Sequence, residues 1–136
     1  MKLLLDTNLF LEVLLNQERN EEARSLFANL APHEPNISDF SVHSVGLLLF
    51  RQRKFEEFRK FLRDMISRAG IRVVALSESE TEKVINAAER FNLDFDDAYQ
   101  YTVAAVNSLI LVSFDSDFDR TELGRTRPSD VPKPES

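Results

Sequence analysis

The sequence has no cysteine, no tryptophan, only three glycines and only two histidines. Without cysteine the chain forms neither a disulfide nor a thiolate metal site, and this composition fits an intracellular, cytoplasmic location. Two histidines alone argue against a zinc site, because structural zinc is usually held by four cysteine or histidine ligands. A Gly-Lys-Ser/Thr motif is also missing, which argues against a P-loop nucleotide site.

Long apolar runs are absent as well. The first five residues begin like a signal peptide, but Asp6, Asn8 and Glu12 interrupt the apolar run. No stretch approaches the roughly 18 apolar residues that a membrane span needs. We therefore expect no membrane association, and we interpret the N-terminus as a buried strand that runs into a helix.

The 136 residues are 43% hydrophobic and 29% charged, which is typical of one globular domain. We assign residues 1–124 to this domain. Residues 125–136 contain Pro128, Pro132 and Pro134 and little apolar material. This composition predicts a C-terminal tail that frays at its end.

Charge is distributed unevenly along the chain. The net charge is −6, yet the stretch from Arg51 to Arg72 carries eight basic and three acidic residues, a local net charge of +5. A basic arm beside an acidic centre suits a metal-dependent nuclease, since phosphates bind the arm and cations bind the centre. An ordinary solvated helix face explains the same pattern, and both interpretations stay open here.

Apolar patterning predicts strands that alternate with helices. Residues 2–6, 71–76 and 109–112 read as strands, whereas Asn36-Ile37 predicts a short strand at most. Ser77 and Glu80 have the spacing of a capping box. The alternation predicts an α/β fold, a three-layer α/β/α arrangement with a mainly parallel central sheet.

One amphipathic α-helix is predicted from Lys54 to Arg68. Its apolar side chains fall at helical spacing, namely Phe55, Phe58, Phe61, Leu62, Met65 and Ile66. Most of these side chains are expected to pack in the core. A remaining apolar face on this helix could receive a partner helix or a second copy of the chain.

Acidic residues stand at the predicted ends of strands and helices. Asp6 ends the first strand, Asp115 and Asp117 follow the last strand, and Asp97 lies in the first turn of a helix. Each has an ordinary explanation as a helix cap, a partner of the helix dipole or part of a polar turn. However, the carboxyl ends of parallel strands meet at one edge of the sheet, where sites form. Several carboxylates at that edge favour Mg²⁺ or Mn²⁺.

Three short segments resemble the landmark motifs of PIN domains, with the order and spacing of VapC-type toxins. They are Leu4-Leu5-Asp6-Thr7-Asn8, Asp96-Asp97-Ala98 and the segment 111–118. The resemblance covers roughly residues 2–118. It implies a PIN-like domain whose acidic pocket holds one or two divalent metals.

The same resemblance implies roles for individual residues. Asp6, Asp97 and Asp115 would be the catalytic acidic ligands, with Asp117 as a further metal ligand. Asn8 and Ser113 would orient water or the first aspartate.

The chain departs from the family pattern at one position. The family expects a glutamate six residues after the serine of its second motif, and that place is occupied by Ser44, next to His43. Asp39 could compensate from the preceding turn, or His43 could supply a ligand or a phosphate contact. A structural role for His43 is the other interpretation. A missing ligand would weaken or remove a second metal.

The resemblance implies a Mg²⁺- or Mn²⁺-dependent endoribonuclease, the toxin of a type II toxin–antitoxin system. Its expected partners are an RNA substrate, often structured or transfer RNA, a cognate antitoxin and a second copy of the chain. Within the basic stretch, Arg51, Arg53 and Lys54 are candidates for RNA-backbone contacts.

Two alternatives follow from particular residues. A catalytically weakened PIN-like module that binds RNA or protein would explain Ser44. A phosphatase of the haloacid-dehalogenase type would need a second aspartate two residues after Asp6, where the chain has Asn8.

Overall fold

Parallel strands form the centre of the protein in the computed structural model, which describes residues 1–134. Within these residues the sheet has four strands in the order β3-β2-β1-β4, and every neighbouring pair is parallel. The strands are β1 (Lys2–Leu5), β2 (Glu34–Ser38), β3 (Arg72–Val74) and β4 (Ile110–Val112).

Helices connect the strands and cover the sheet. Six α-helices lie within residues 1–134: α1 (Thr7–Leu14), α2 (Asn20–Ala28), α3 (Asp39–Arg51), α4 (Phe55–Lys60), α5 (Glu78–Phe91) and α6 (Phe95–Asn107). Short 3₁₀ helices follow at Ser116–Arg120 and Pro128–Asp130. No helix in this part of the chain is long and apolar enough to cross a membrane.

Successive side chains of β1 point to opposite faces of the sheet, as in any strand. Leu3 and Leu5 pack into a core with apolar side chains of α1, α2 and α3. Leu4 packs into a second core with side chains of α5 and α6. Helices therefore cover both faces, which confirms the predicted three-layer α/β/α fold with a parallel sheet.

The second strand is longer than the sequence indicated. Asn36-Ile37 predicted a short strand at most, but β2 runs from Glu34 to Ser38 and lies between β1 and β3. Pro35 is tolerated there because pairing with β3 begins only at Asn36, opposite Arg72. The missing N–H of Pro35 therefore costs no hydrogen bond to β3.

The predicted single helix from Lys54 to Arg68 is wrong in its second half. The α-helical part ends at Lys60, and Phe61–Ser67 forms a π-helix. In a π-helix the backbone hydrogen bonds join residues five apart. Phe61 and Ile66 of this segment both pack into the core with side chains of α1 and α3. Leu62 is 41% exposed.

Two helix ends have a clear local cause. The capping box is confirmed, since the Ser77 hydroxyl accepts from the Glu80 N–H and the Glu80 carboxylate accepts from the Ser77 N–H. Gly70 adopts a φ of 68° after the π-helix, a conformation that favours glycine.

The first half of the predicted tail packs against the domain. The N–H of Thr126 donates to Leu111 O at 2.8 Å, and Thr126 O accepts from the Ser113 N–H at 3.1 Å. Val131 is buried in the core beside α1 and α2. The expected fraying concerns the end of the tail, and residues 135–136 lie outside the described residues.

Two leucines of α3, only two positions apart, test this account of the core. Leu49 is fully buried, whereas Leu47 is 58% exposed. Leu49→Ala should lower the free energy of unfolding by about 2–5 kcal/mol, because it leaves a cavity. Leu47→Ala is the matched control and should change it by no more than about 0.5 kcal/mol. Urea denaturation measures both, and equal losses would contradict the burial described here.

Candidate metal centre

The carboxyl ends of β1 and β4 bring several aspartates together. Asp6 directly follows β1, and Asp115 lies three residues after the end of β4. Register pairs Leu5 with Val112, so the two strands end side by side. Asp97, in the first turn of α6, approaches the same edge from the helical layer. The rule that sites form at this edge of a parallel sheet applies here.

Asp6 is the most deeply buried of these acids, with 7% of its surface exposed. Its Oδ1 accepts from the Thr7 N–H at 2.9 Å and from Gln100 Nε2 at 2.8 Å. Its Oδ2 accepts from Ser113 Oγ at 2.6 Å and from Asn8 Nδ2 at 3.4 Å. Four donors therefore fix the orientation of one carboxylate.

Burial raises the pKa of Asp6, and the hydrogen bonds from Gln100, Ser113 and Thr7 oppose this shift. Both effects act on the same group, because the side chain is inside the protein but fully hydrogen bonded. The charge of Asp115 raises the pKa of Asp6 further. Positive charge near this edge would stabilise the ionised form of Asp6.

Ser113 links the first aspartate to the third motif. Its hydroxyl donates to Asp6 and accepts from the Asp115 N–H at 2.9 Å and from Asn8 Nδ2 at 3.2 Å. Asp115 Oδ1 in turn accepts from the Asp117 N–H at 2.8 Å. Asn8 and Ser113 thus orient acidic residues through direct hydrogen bonds.

Asp97, Asp115 and Asp117 form a tight acidic cluster. One carboxylate oxygen from each lies within 4.8 Å of the others, and all three side chains are half-buried. No oxygen of Asp6 belongs to this group of three. A direct contact between Asp6 and a metal therefore stays a prediction.

Crowding of negative charge changes the acidity of Asp97. Partial burial raises the pKa of Asp97 to about 7, and the charges of Asp115, Asp6 and Asp117 contribute to the rise. One basic side chain compensates part of this charge, since Arg120 Nη1 lies 3.4 Å from Asp117 Oδ1. The arrangement is unfavourable for three ionised carboxylates unless a cation joins them.

These residues fit a hard divalent cation. Carboxylate oxygens are the ligands that Mg²⁺ and Mn²⁺ take, and Mg²⁺ commonly uses one or two of them with water and phosphate. Asp97, Asp115 and Asp117 offer three such oxygens at one point, half-buried and within reach of solvent.

The residues at the departure from the family pattern lie on α3. Ser44 is half-buried and His43 is exposed, and neither belongs to the acidic cluster. Asp39 Oδ1 accepts from Tyr99 OH at 2.7 Å and from the Phe40 N–H at 2.8 Å. Burial and this hydrogen bond raise the pKa of Tyr99 to about 12. Asp39 is therefore held by Tyr99, outside the cluster.

Sequence reasoning missed Gln100, which is 1% exposed on α6. Besides Asp6, its Nε2 donates to Ser41 Oγ at 2.9 Å, and its Oε1 accepts from Ser38 Oγ at 2.6 Å. Ser41 also lies 2.7 Å from Thr7 Oγ1. A glutamine among the small and apolar residues of α6 was the available signal, since buried polar groups need partners.

The predicted RNA-backbone candidates lie at the opposite end of α3 from the site around Asp6. Arg51 ends α3, and Arg53 and Lys54 follow it, whereas Ser41 near the start of α3 bonds Gln100, which also bonds Asp6. A helix of this length spans roughly 18 Å. Any contact of these side chains with RNA would therefore be remote from the acids.

The raised pKa of Asp97 predicts how stability changes with pH. The Asp97 carboxyl has an ordinary pKa of 3.8 in the unfolded chain and a pKa of about 7 in the folded protein. As the pH rises between these two values, the unfolded chain loses this proton more readily than the folded protein, so the fold loses stability. Asp97→Asn should therefore raise the melting temperature of the metal-free protein at pH 8, and the gain should vanish below about pH 4.

The exposed Asp96, one position earlier on α6, supplies the control. Asp96→Asn should leave the pH dependence of the melting temperature unchanged. Thermal unfolding in chelator across pH 4–8 measures both variants. Identical pH profiles for Asp97→Asn and the parent protein would contradict the crowding described above.

Comparisons with known proteins agree with this architecture. Curated protein sequences gave no match. Among solved structures, VapC20 of Mycobacterium tuberculosis, described as a Sarcin-Ricin loop cleaving toxin, superposes with a TM-score of 0.76 at 19% identity, covering 93% of this chain and 99% of that chain. FitAcB of Neisseria gonorrhoeae superposes with a TM-score of 0.70 at 22% identity, covering 95% and 99%.

VapBC2 of Rickettsia felis, solved with a promoter DNA fragment, superposes with a TM-score of 0.75 at 18% identity, covering 92% of this chain and 96% of that chain. At these identities the structural likeness shows the fold. The sequence model of the PIN domain matches residues 3–123, almost the whole domain. The chain therefore belongs to the PIN domain family.

Proposed function

We propose that this protein is a Mg²⁺- or Mn²⁺-dependent endoribonuclease, the toxin of a type II toxin–antitoxin system that acts on RNA in the cytoplasm. The observation that carries the proposal is the meeting of Asp97, Asp115 and Asp117 within 4.8 Å beside the buried Asp6. The structural neighbours include VapC20, described as a toxin, and a toxin–antitoxin complex from Klebsiella pneumoniae, which supports the toxin interpretation.

Each part of the site has a distinct task in this proposal. Asp97, Asp115 and Asp117 would hold the cation, which when bound lowers the pKa of a water and neutralises phosphate charge. Asp6 adds negative charge near them, and Ser113, Gln100 and Asn8 keep its carboxylate in one orientation. Orientation of this kind matters, since a misplacement of about 1 Å can cost about a hundredfold in rate. The mechanism needs no side-chain nucleophile.

An antitoxin segment is the second part of the proposal. A groove of about 420 Å³ lies between α1, α2 and the π-helix, with Val13, Leu14, Phe27 and Met65 among its lining residues. Glu57, Lys60 and Asp64 supply charge around these apolar side chains. Such a groove suits an amphipathic helix. One neighbour, from Klebsiella pneumoniae, is described as a toxin–antitoxin complex, which supports a protein partner. We also expect a second copy of the chain as a partner, because the resemblance to VapC-type toxins implies it.

Removal of one clustered carboxylate tests the proposed activity. Asp115→Asn should reduce cleavage of RNA by about a thousandfold, since a lost metal contact removes several kcal/mol of transition-state stabilisation. Asp96→Asn, an exposed neighbour of the cluster, should cleave like the parent protein. Cleavage is measured with Mg²⁺, with Mn²⁺ and with chelator. Equal rates in all these cases would overturn the proposal.

Ser44 motivates a second candidate, a PIN-like module that binds RNA or protein and turns over slowly or not at all. Ser44 lies on α3 three residues after Ser41, the direct neighbour of Gln100. Restoring a carboxylate there should raise cleavage at limiting Mg²⁺ by about tenfold, if the missing ligand limits metal binding.

Ser44→Glu is the test variant, and Ser44→Gln is its uncharged control of equal size. A gain with glutamate alone would indicate that Ser44 limits the enzyme. Metal binding without cleavage of any RNA in a broad pool, in both the parent protein and Ser44→Glu, would favour the binding module.

A further inference from the structure

The corner between α3 and α4, residues 50–55, combines exposed aromatic surface with free positive charge. It reads Phe50-Arg51-Gln52-Arg53-Lys54-Phe55, three cations and no acid. None of the three cations makes an ion pair within residues 1–134. By contrast, Arg59, Arg63 and Arg68 of the same basic arm are each paired with Glu56 or Asp64. The three cations of this corner are therefore available to bind a ligand.

An aromatic ring stands beside these charges. Phe50 is 57% exposed, although its ring makes edge contacts with Phe55 at 5.0 Å and Phe58 at 5.9 Å between centroids. These contacts hold the ring in place and leave more than half of its surface free. A fixed, exposed aromatic ring next to cations is the arrangement on which unpaired bases stack while phosphates are neutralised.

The backbone of the corner gives an independent indication. Arg53 adopts a φ of 54°, in the left-handed region. The Arg53 N–H donates to Phe50 O at 3.0 Å, and the Lys54 N–H donates to Leu49 O at 2.7 Å. These two bonds form a Schellman motif, in which the left-handed position is usually glycine. Arginine stands there against the local preference of the backbone, which points to a use for its side chain.

The guanidinium of Arg53 is also held in place. Its central carbon lies 5.4 Å from the centre of the Phe55 ring, within the range of a cation–π contact. Arg51 and Lys54 flank it on a short turn. A guanidinium that is already oriented loses less freedom when it binds a phosphate.

We propose that the α3–α4 corner is a remote anchor for unpaired RNA, with bases stacked on Phe50 and phosphates held by Arg51, Arg53 and Lys54. This inference rests on the proposed function, since it concerns the RNA that the acidic cluster would cut. The corner lies at the far end of α3, roughly 18 Å along the helix from Asp39. It would set which part of an RNA reaches the cluster, without taking part in cleavage.

The test measures binding of a labelled 12-nucleotide single-stranded RNA by fluorescence anisotropy, in chelator and over a range of salt. The test variant joins Arg51→Gln, Arg53→Gln and Lys54→Gln. Its control joins Arg59→Gln, Lys60→Gln and Arg63→Gln, which removes the same charge from the same arm. The corner variant should bind more weakly, with the slope of log affinity against log salt smaller by about 2. An equal change in both variants would overturn the proposal.

Two single variants separate binding from folding. Arg53→Gly keeps the backbone conformation and removes the guanidinium, so it should weaken RNA binding while the melting temperature stays equal or rises. Phe50→Leu keeps an apolar side chain without a ring face, and it should weaken binding about tenfold. If neither variant weakens binding, the anchor is wrong. If Phe50→Leu changes only the oligomeric state, seen by light scattering, the corner is a protein contact and the anchor is also wrong.

Failure of this inference is distinguishable from failure of the proposed function. If cleavage depends on Asp115 and the corner variants bind RNA like the parent protein, the proposed nuclease activity stands and the proposed RNA anchor is wrong. If RNA binding depends on the corner and no metal condition gives cleavage, the RNA anchor stands and the proposed nuclease activity is wrong.

Discussion

The carboxylate of Asp6 holds together three parts of the chain that meet at one edge of the sheet. Asp6 directly follows β1, and its carboxylate caps α1 through the Thr7 N–H and accepts hydrogen bonds from Gln100 of α6 and from Ser113 after β4. Because the group is buried, each of these donors offsets part of the cost of removing a charge from water. The positions of Asp97 and Asp115 follow from this arrangement, since α6 and the segment after β4 are tied to the same carboxylate.

The acidic cluster lowers the stability of the metal-free fold, although the same carboxylates suit a cation. Partial burial and the neighbouring acids raise the pKa of Asp97 to about 7, so the metal-free protein carries an unfavourable concentration of negative charge at neutral pH. A protein that only needed to fold would not gain from three such oxygens within 4.8 Å. The structure tolerates them because parallel strands and α6 converge there, and a bound cation would reverse the penalty.

Much of this architecture could be predicted from the sequence, because the signals involved are local. Alternating strands and helices indicated the three layers, and the spacing of Ser77 and Glu80 indicated a capping box. Asp97, Asp115 and Asp117 could be expected at one edge because strand ends share an edge. Gln100 could not, because its partners Asp6 and Ser38 lie 94 and 62 residues away along the chain. The π-helix at Phe61–Ser67 was also missed, since the spacing of apolar residues does not show whether the backbone hydrogen bonds join residues four or five apart.

The central claim is that Asp97, Asp115 and Asp117 hold a divalent cation near Asp6. The most direct test is a crystal structure of the parent protein soaked in Mn²⁺, with an anomalous difference map collected at the manganese absorption edge. The account predicts a peak that contacts one carboxylate oxygen of each of the three aspartates, and loss of that peak in Asp115→Asn. A map with no peak between these carboxylates, from crystals in which Mn²⁺ is bound elsewhere, would contradict it.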